Sequence, residues 1–253
     1  MKPELLLGGL VFAAMSCGAA CAAEITLIAP GGIRAPFEQL LPDFERGTGN
    51  KVIATYGSGG GTKDRVMRGE SFDVPVVQPP YADVLASGNV IPTTETPLAT
   101  VAVGLAVRAG ATKPDISSAD AVRNVLLAAR AIAYPDPAAG AAAGVSLTAT
   151  LQKLGIADAV RAKTIFARGG ADAMAKLAKG EVDIGLTFIS ELIGQPGIEL
   201  VGPLPRDIAP PTAFVAFVSS HAAAPDAAQA LLRFLAAPNA ATTYRARGME
   251  PGG

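Results

Sequence analysis

Tyr56-Gly57-Ser58-Gly59-Gly60-Gly61-Thr62 stands between a segment that predicts a β-strand, residues 51–56, and a short basic segment that predicts a helix. That helix carries Lys63, Arg65 and Arg68 and ends at Gly69. Glycines let a ligand come close to backbone N–H groups, and the helix start behind them adds roughly half a positive charge. The stretch therefore reads as an anion cradle. The same order recurs further on: a strand at 131–134, the turn Pro135-Asp136-Pro137-Ala138-Ala139-Gly140-Ala141-Ala142-Ala143-Gly144, and a helix at 145–154. The pair of cradles carries more weight than either alone.

Strands and helices alternate along the rest of the chain. Residues 24–29 predict a strand, and the turn after it holds Gly31, Gly32 and Arg34. Phe37, Leu40, Leu41 and Phe44 then share one face of a helix, with Pro42 inside it as an expected bend. Val74–Val77 predicts a buried strand, broken by Pro79-Pro80, with a short helix at 81–86. Residues 97–108 form one long apolar stretch that reads as a crossing between lobes. Helices at 119–130, 171–178 and 226–236 and strands at 182–188 and 213–218 follow, with a proline-rich return at 203–211. Such alternation implies an α/β fold of mixed, mainly parallel sheets with helices on both faces. Two halves joined by two crossings give two lobes with a cleft between them, near the carboxyl ends of the strands where both glycine-rich turns lie. The expected division is residues 24–104 with 205–253 in one lobe and 105–204 in the other.

Composition narrows the function. Half of the 253 residues are hydrophobic and 17% are charged, enough for a substantial core, and the net charge is −1. A nucleic-acid partner is not expected without a basic face, and the absence of Trp argues against stacking platforms. Lys2, the apolar run at 5–14 and the small residues at 16–23 have the order of a secretory signal peptide, residues 1–23. Cleavage near Ala23 would remove Cys17 and Cys21 and leave no thiol chemistry. Acylation at Cys21 is the less favoured alternative, because no leucine stands three positions before it.

Several sharper chemistries fail on spacing. Thr62 separates Gly61 from Lys63, so the first loop is not a nucleotide P-loop, and it also occupies the last glycine of G-x-G-x-x-G. A hydrolase elbow needs glycine two residues before Ser58, where Tyr56 stands. His221 is the only histidine, so neither a Ser-His-Asp triad nor a His/Cys metal cluster can be assembled, and no cofactor or metal is expected. Ser58 and Thr62 as plain helix caps, and Gly140–Gly144 as close-packing residues, are the less favoured alternatives.

The opening strand with Ala29-Pro30-Gly31-Gly32, the Tyr56-Gly57-Ser58-Gly59 loop and the step Gly69-Glu70-x-x-Asp73-Val74 occur here in a specific order. Pro135 through Gly140 before a helix, Gly180-Glu181-Val182-Asp183-Ile184-Gly185 and the closing Gly248-Met249 continue it. In this order the mature chain resembles the type II periplasmic solute-binding proteins of the molybdate-transport group. The resemblance implies a periplasmic protein of two hinged lobes that closes on a small anion, acts as a monomer and docks on an ABC permease. By position it implies that Gly32, Ser58, Ala139 and Phe188 face the ligand. Serine is usual where Gly32 stands and tyrosine where Phe188 stands, so two hydroxyl donors are missing, each worth about 1–3 kcal/mol to a buried anion.

Arg34 and Arg65 offer planar forks that fit carboxylates, so an organic di- or tricarboxylate or related oxyanion is the expected ligand, held also by Gly31, Gly59, Gly60, Thr62 and Gly140. Some exported proteins resembling this group are isomerases that interconvert cis- and trans-aconitate. That reaction needs a proton-transfer group near the reacting carbon, for which Tyr134, Asp136, Lys63 and Glu191 are the candidates.

Overall fold

The computed structural model describes residues 22–252. The segment through residue 21, on which most of the expected signal peptide falls with Cys17 and Cys21, lies outside the described residues. From the amino terminus come β1 (Glu24–Pro30), a 3-10 turn at Gly31–Ile33, α1 (Arg34–Thr48), β2 (Lys51–Gly57), α2 (Gly59–Met67), β3 (Val74–Val77), α3 (Ala82–Ala86) and β4 (Thr96–Val101). After Ala102 the chain continues as β5 (Val103–Arg108), α4 (Ala119–Ala128), β6 (Ile132–Pro135), α5 (Ala142–Lys153), α6 (Ala157–Arg161), β7 (Thr164–Ala167), α7 (Gly170–Ala178), β8 (Ile184–Phe188), α8 (Ile189–Leu192) and β9 (Ile198–Pro203). It closes with β10 (Thr212–Ala216), α9 (Pro225–Leu235), α10 (Pro238–Ala246) and β11 (Met249–Pro251).

The apolar stretch at 97–108 is two strands rather than one. Ala102 alone separates β4 from β5, and the two belong to different sheets. One sheet has the order β11-β4-β10-β3-β1-β2, the other β7-β6-β8-β5-β9. The chain crosses between them at Ala102 and returns between β9 and β10, which makes the two lobes. The sheets are mixed, as expected, but parallel pairing carries less of them. Four ladders are parallel, β1 with β2 and β3, and β6 with β7 and β8. Five are antiparallel, and all five involve a crossing or return strand, β4, β5 or β10. A βαβ unit enforces parallel neighbours, whereas a chain that leaves a sheet and comes back can run either way.

The core of each lobe follows the apolar periodicity. Phe37, Leu40, Leu41 and Phe44 of α1 are buried against a sheet whose Ile25, Leu27, Val74 and Phe214 are almost fully enclosed. Burial of each such side chain contributes roughly 1.5–3 kcal/mol. Pro42 lies inside α1 on its exposed side, where water can serve the carbonyl left without its donor. Gly49, at φ 77°, ends the helix in the left-handed region and donates its N–H to the carbonyl of Glu45 at 2.9 Å.

Candidate functional site

Four helices begin at one place. α1, α2, α5 and α7 each follow a strand end, and their first residues, Arg34, Gly59, Ala142 and Gly170, all line a cavity of about 370 Å³ between the lobes. Each helix start leaves backbone N–H groups unpaired and a partial positive charge, so the cavity favours anions before any side chain is counted.

Ser58 builds the α2 start: its backbone is extended and its Oγ accepts the Gly61 N–H at 3.1 Å. It is thus a helix cap and a cavity residue together. Gly31 and Gly32 line the opposite wall, with Phe188 at the end of β8 closing over Gly32. Arg34 lies over the Tyr56 ring at 5.3 Å and donates through Nε to Glu38 at 2.6 Å. Arg168, almost fully exposed in the turn before α7, stands at the mouth with Asp172 3.7 Å away.

Glu191, on α8, is the one carboxyl group in this wall among the described residues. Its Oε2 accepts the Thr187 hydroxyl at 2.6 Å, and the nearby backbone N–H groups of Phe188 and Gly170 also favour its charged form. Burial raises its pKa, and these hydrogen bonds pull the other way without cancelling the rise. Gly170 leaves room for it, since an added Cβ there would lie 2.6 Å from the Glu191 carboxyl carbon and push that side chain aside. Burial also lifts the Tyr56 phenol to about 12, so Tyr56 faces the cavity as a neutral donor.

Of the residues singled out from sequence, Gly31, Gly32, Arg34, Ser58, Gly59, Phe188 and Glu191 come together here. The others lie elsewhere. Thr62 is buried behind the loop, facing Gly57. Arg65 points away from the cleft, paired with Glu70 at 2.6 Å and stacked over Phe72. Lys63 donates to the Pro80 carbonyl at 3.0 Å beside a neighbouring groove. Gly60 and Gly140 meet each other: the Gly60 N–H donates to the Gly140 carbonyl at 2.9 Å, so these glycines bridge the lobes. Ala139 ends the short 3-10 turn before Gly140, and the cavity is lined instead by Ala141, Ala142 and Ala143. Tyr134 is buried edge-on to Phe166 at 5.3 Å, and Asp136 caps the Ala138 N–H at 2.9 Å. Tyr56, Gln78 and the segment 168–170 line the cavity without having been singled out as ligand groups. Arg168-Gly169-Gly170 carried a signal, because it repeats the strand–glycine–helix order of the first loop.

A family model for bacterial extracellular solute-binding proteins matches residues 25–250. An aconitate isomerase from a Pseudomonas species is 34% identical, with 98% of this chain and 96% of that protein covered. The molybdate-binding protein ModA of Azotobacter vinelandii is 28% identical over 91% of each chain. The solved structure of the Azotobacter vinelandii periplasmic molybdate-binding protein superposes with a TM-score of 0.76 at 21% identity, covering 90% of this chain and all of that one.

Proposed function

The chain belongs to the bacterial extracellular solute-binding proteins, and from that premise we propose that its cleft takes a small organic di- or tricarboxylate and isomerises it, interconverting cis- and trans-aconitate. The observation that carries this reading is Glu191, a carboxyl group in the wall of a cavity otherwise arranged to attract anions. Two full like charges ~4 Å apart repel by about 4 kcal/mol near a protein surface. A site that only carried an ionised anion would be better without that carboxylate. A site that moves a proton needs it, and a raised pKa makes it a stronger base, closer in pKa to the working pH. The 34% identity to an aconitate isomerase supports the same reading.

In the proposed reaction the Glu191 carboxylate takes a proton from the substrate methylene. The C–H electrons form the new double bond, and the old double bond delocalises into its neighbouring carboxylate. Return of the proton to the far carbon leaves the same atoms with the double bond shifted. Negative charge builds on carboxylate oxygens, where Arg34, Arg168 and the helix starts can stabilise it. Gly31, Gly32, Ser58, Gly59 and Phe188 shape the remaining contacts.

The test is proton NMR of cis- and trans-aconitate incubated with the mature protein in heavy water. Interconversion with deuterium uptake, lost in Glu191→Gln, is the expected outcome. Binding without interconversion would overturn it in favour of carriage. Carriage to an ABC permease is the second reading, favoured by the two crossings between lobes, which suit hinged closure on a cargo. Either way we propose an exported, periplasmic monomer, cleaved near Ala23, whose lobes divide close to the expected residues 104 and 204, at Ala102 and in the segment between β9 and β10.

A further inference from the structure

Gln78 is a polar side chain that neither the fold nor the proton transfer uses. It follows β3, is 2% exposed, and its Nε2 and Oε1 both lack hydrogen-bond partners among the described residues. It lies in the cavity wall where α2 and α5 begin. Its amide oxygen fills the place a side chain on Gly59 would take, and that place is 3.2 Å from the Ala142 Cβ. With Oε1 turned toward Gly59, the two Nε2 hydrogens are left as donors. Buried amides left unpaired weaken a fold, and a thioether or alkyl chain would fill the same space without that cost. The Tyr56 hydroxyl, in the same cavity lining, is buried and unpartnered too. Two orphaned neutral groups lining one anion-attracting cavity mark where a ligand supplies the missing acceptors.

We propose that Gln78 is a specificity-determining residue whose amide donates to one carboxylate of the ligand, the one seated between the starts of α2 and α5. The arginines sit at the open side, so Gln78 adds a third, inner point of attachment and makes the site a reader of tricarboxylates over dicarboxylates. This rests on the polycarboxylate reading given above.

Calorimetric titration with propane-1,2,3-tricarboxylate and with glutarate, which has the same carbon chain without the central carboxylate, tests it. Wild type should bind the tricarboxylate at least about tenfold more tightly. Gln78→Met should weaken the tricarboxylate at least about tenfold and glutarate less than about threefold. Its unfolding midpoint without ligand should equal or exceed that of wild type, since the unpaired amide is gone; a purely structural glutamine would lower it. If Gln78→Met does not fold, Gln78→Asn, which withdraws the amide by one methylene, carries the same comparison. Equal wild-type affinities, or equal losses for both ligands in the variant, would overturn the role of Gln78 and leave the polycarboxylate reading standing. A wild type that binds neither acid would overturn both.

Discussion

A Cβ added to Gly32 would stand 2.7 Å from Cδ2 of the Phe188 ring and 3.0 Å from Cζ of Phe214. Glycine at 32 and phenylalanine at 188 are therefore one feature, in which the ring occupies the space a side chain at 32 would need. An aromatic ring at 188, with or without a hydroxyl, leaves no room for a serine side chain at 32. Phe188 is held edge-on to Phe214, with centroids 6.2 Å apart, and has little freedom to yield. Gly32→Ser should thus cost about 1–3 kcal/mol by overpacking. Combined with Phe188→Ala it should cost less than the sum of the two single changes, as urea unfolding of all three variants will show.

Glu191→Gln should lower the isomerisation rate by about 10²- to 10⁴-fold, the usual worth of a proton-transfer group. The same change makes a stability prediction. Because burial raises the Glu191 pKa in the folded protein, its contribution to stability is full below the unfolded value near 4.3 and fades as pH rises through the folded value. The unfolding midpoint of Glu191→Gln relative to wild type should therefore improve as pH rises from 4 and level off above the folded value. Thermal unfolding across that range, compared between the two proteins, measures it.

The Gly60–Gly140 contact predicts a mechanical effect. An added Cβ at Gly60 would lie 3.1 Å from the Gly140 Cα, which is backbone of the other lobe and cannot swing aside. Gly60→Val should hold the lobes apart on that side, while another bridge, the Ser190 hydroxyl donating to the Gly32 carbonyl at 2.6 Å, remains. Ligand affinity should fall about tenfold, or 1.4 kcal/mol. Small-angle scattering should give a larger radius of gyration for the ligand-saturated variant than for saturated wild type.

Asp73 offers a prediction away from the cleft. It is 3% exposed, and its carboxylate accepts the Thr26 N–H and hydroxyl, both at 2.7 Å, and the Ala223 and Ala224 N–H groups at 2.6 and 3.2 Å. Burial alone would raise its pKa, yet these donors outweigh it and hold the group below the usual carboxylate range. A depressed carboxylate stabilises the fold above its unfolded pKa and ceases to do so as pH falls through the folded value. Asp73→Ala should cost about 3 kcal/mol at pH 7, and the gap to wild type should narrow below about pH 4. Chemical denaturation at pH 7 and pH 3 checks both.

How much of this was legible beforehand depends on whether a residue's role is local. The units β1–α1, β2–α2 and β6–α5 could be read because apolar periodicity and glycine stops lie along the chain itself. β7 was missed because it is an edge strand with Phe166 47% exposed, so no buried pattern marks it. That omission hid the turn at 168–170 as a fourth helix start on the cleft. Asp73, read as part of a family motif, serves to clamp β1 to the segment before α9. Arg65 and Thr62 sit in the right loop but on faces of α2 that a linear sequence does not orient toward the cleft. Gln78 had no local signal at all; it stands out through its burial against Gly59, a place that Ala142 approaches from the other lobe.

The place of β10 has a consequence for how an exported chain matures. This strand lies between β4 and β3 in the first sheet, so residues 212–216 fill a gap left by strands made more than a hundred residues earlier. Until they emerge, β3 and β4 have no partner between them, and the first lobe cannot close its sheet. Such long-range pairing is slow to form. Under the export proposed above, that delay is an advantage, because the topology keeps the first lobe open until nearly the last segment is available.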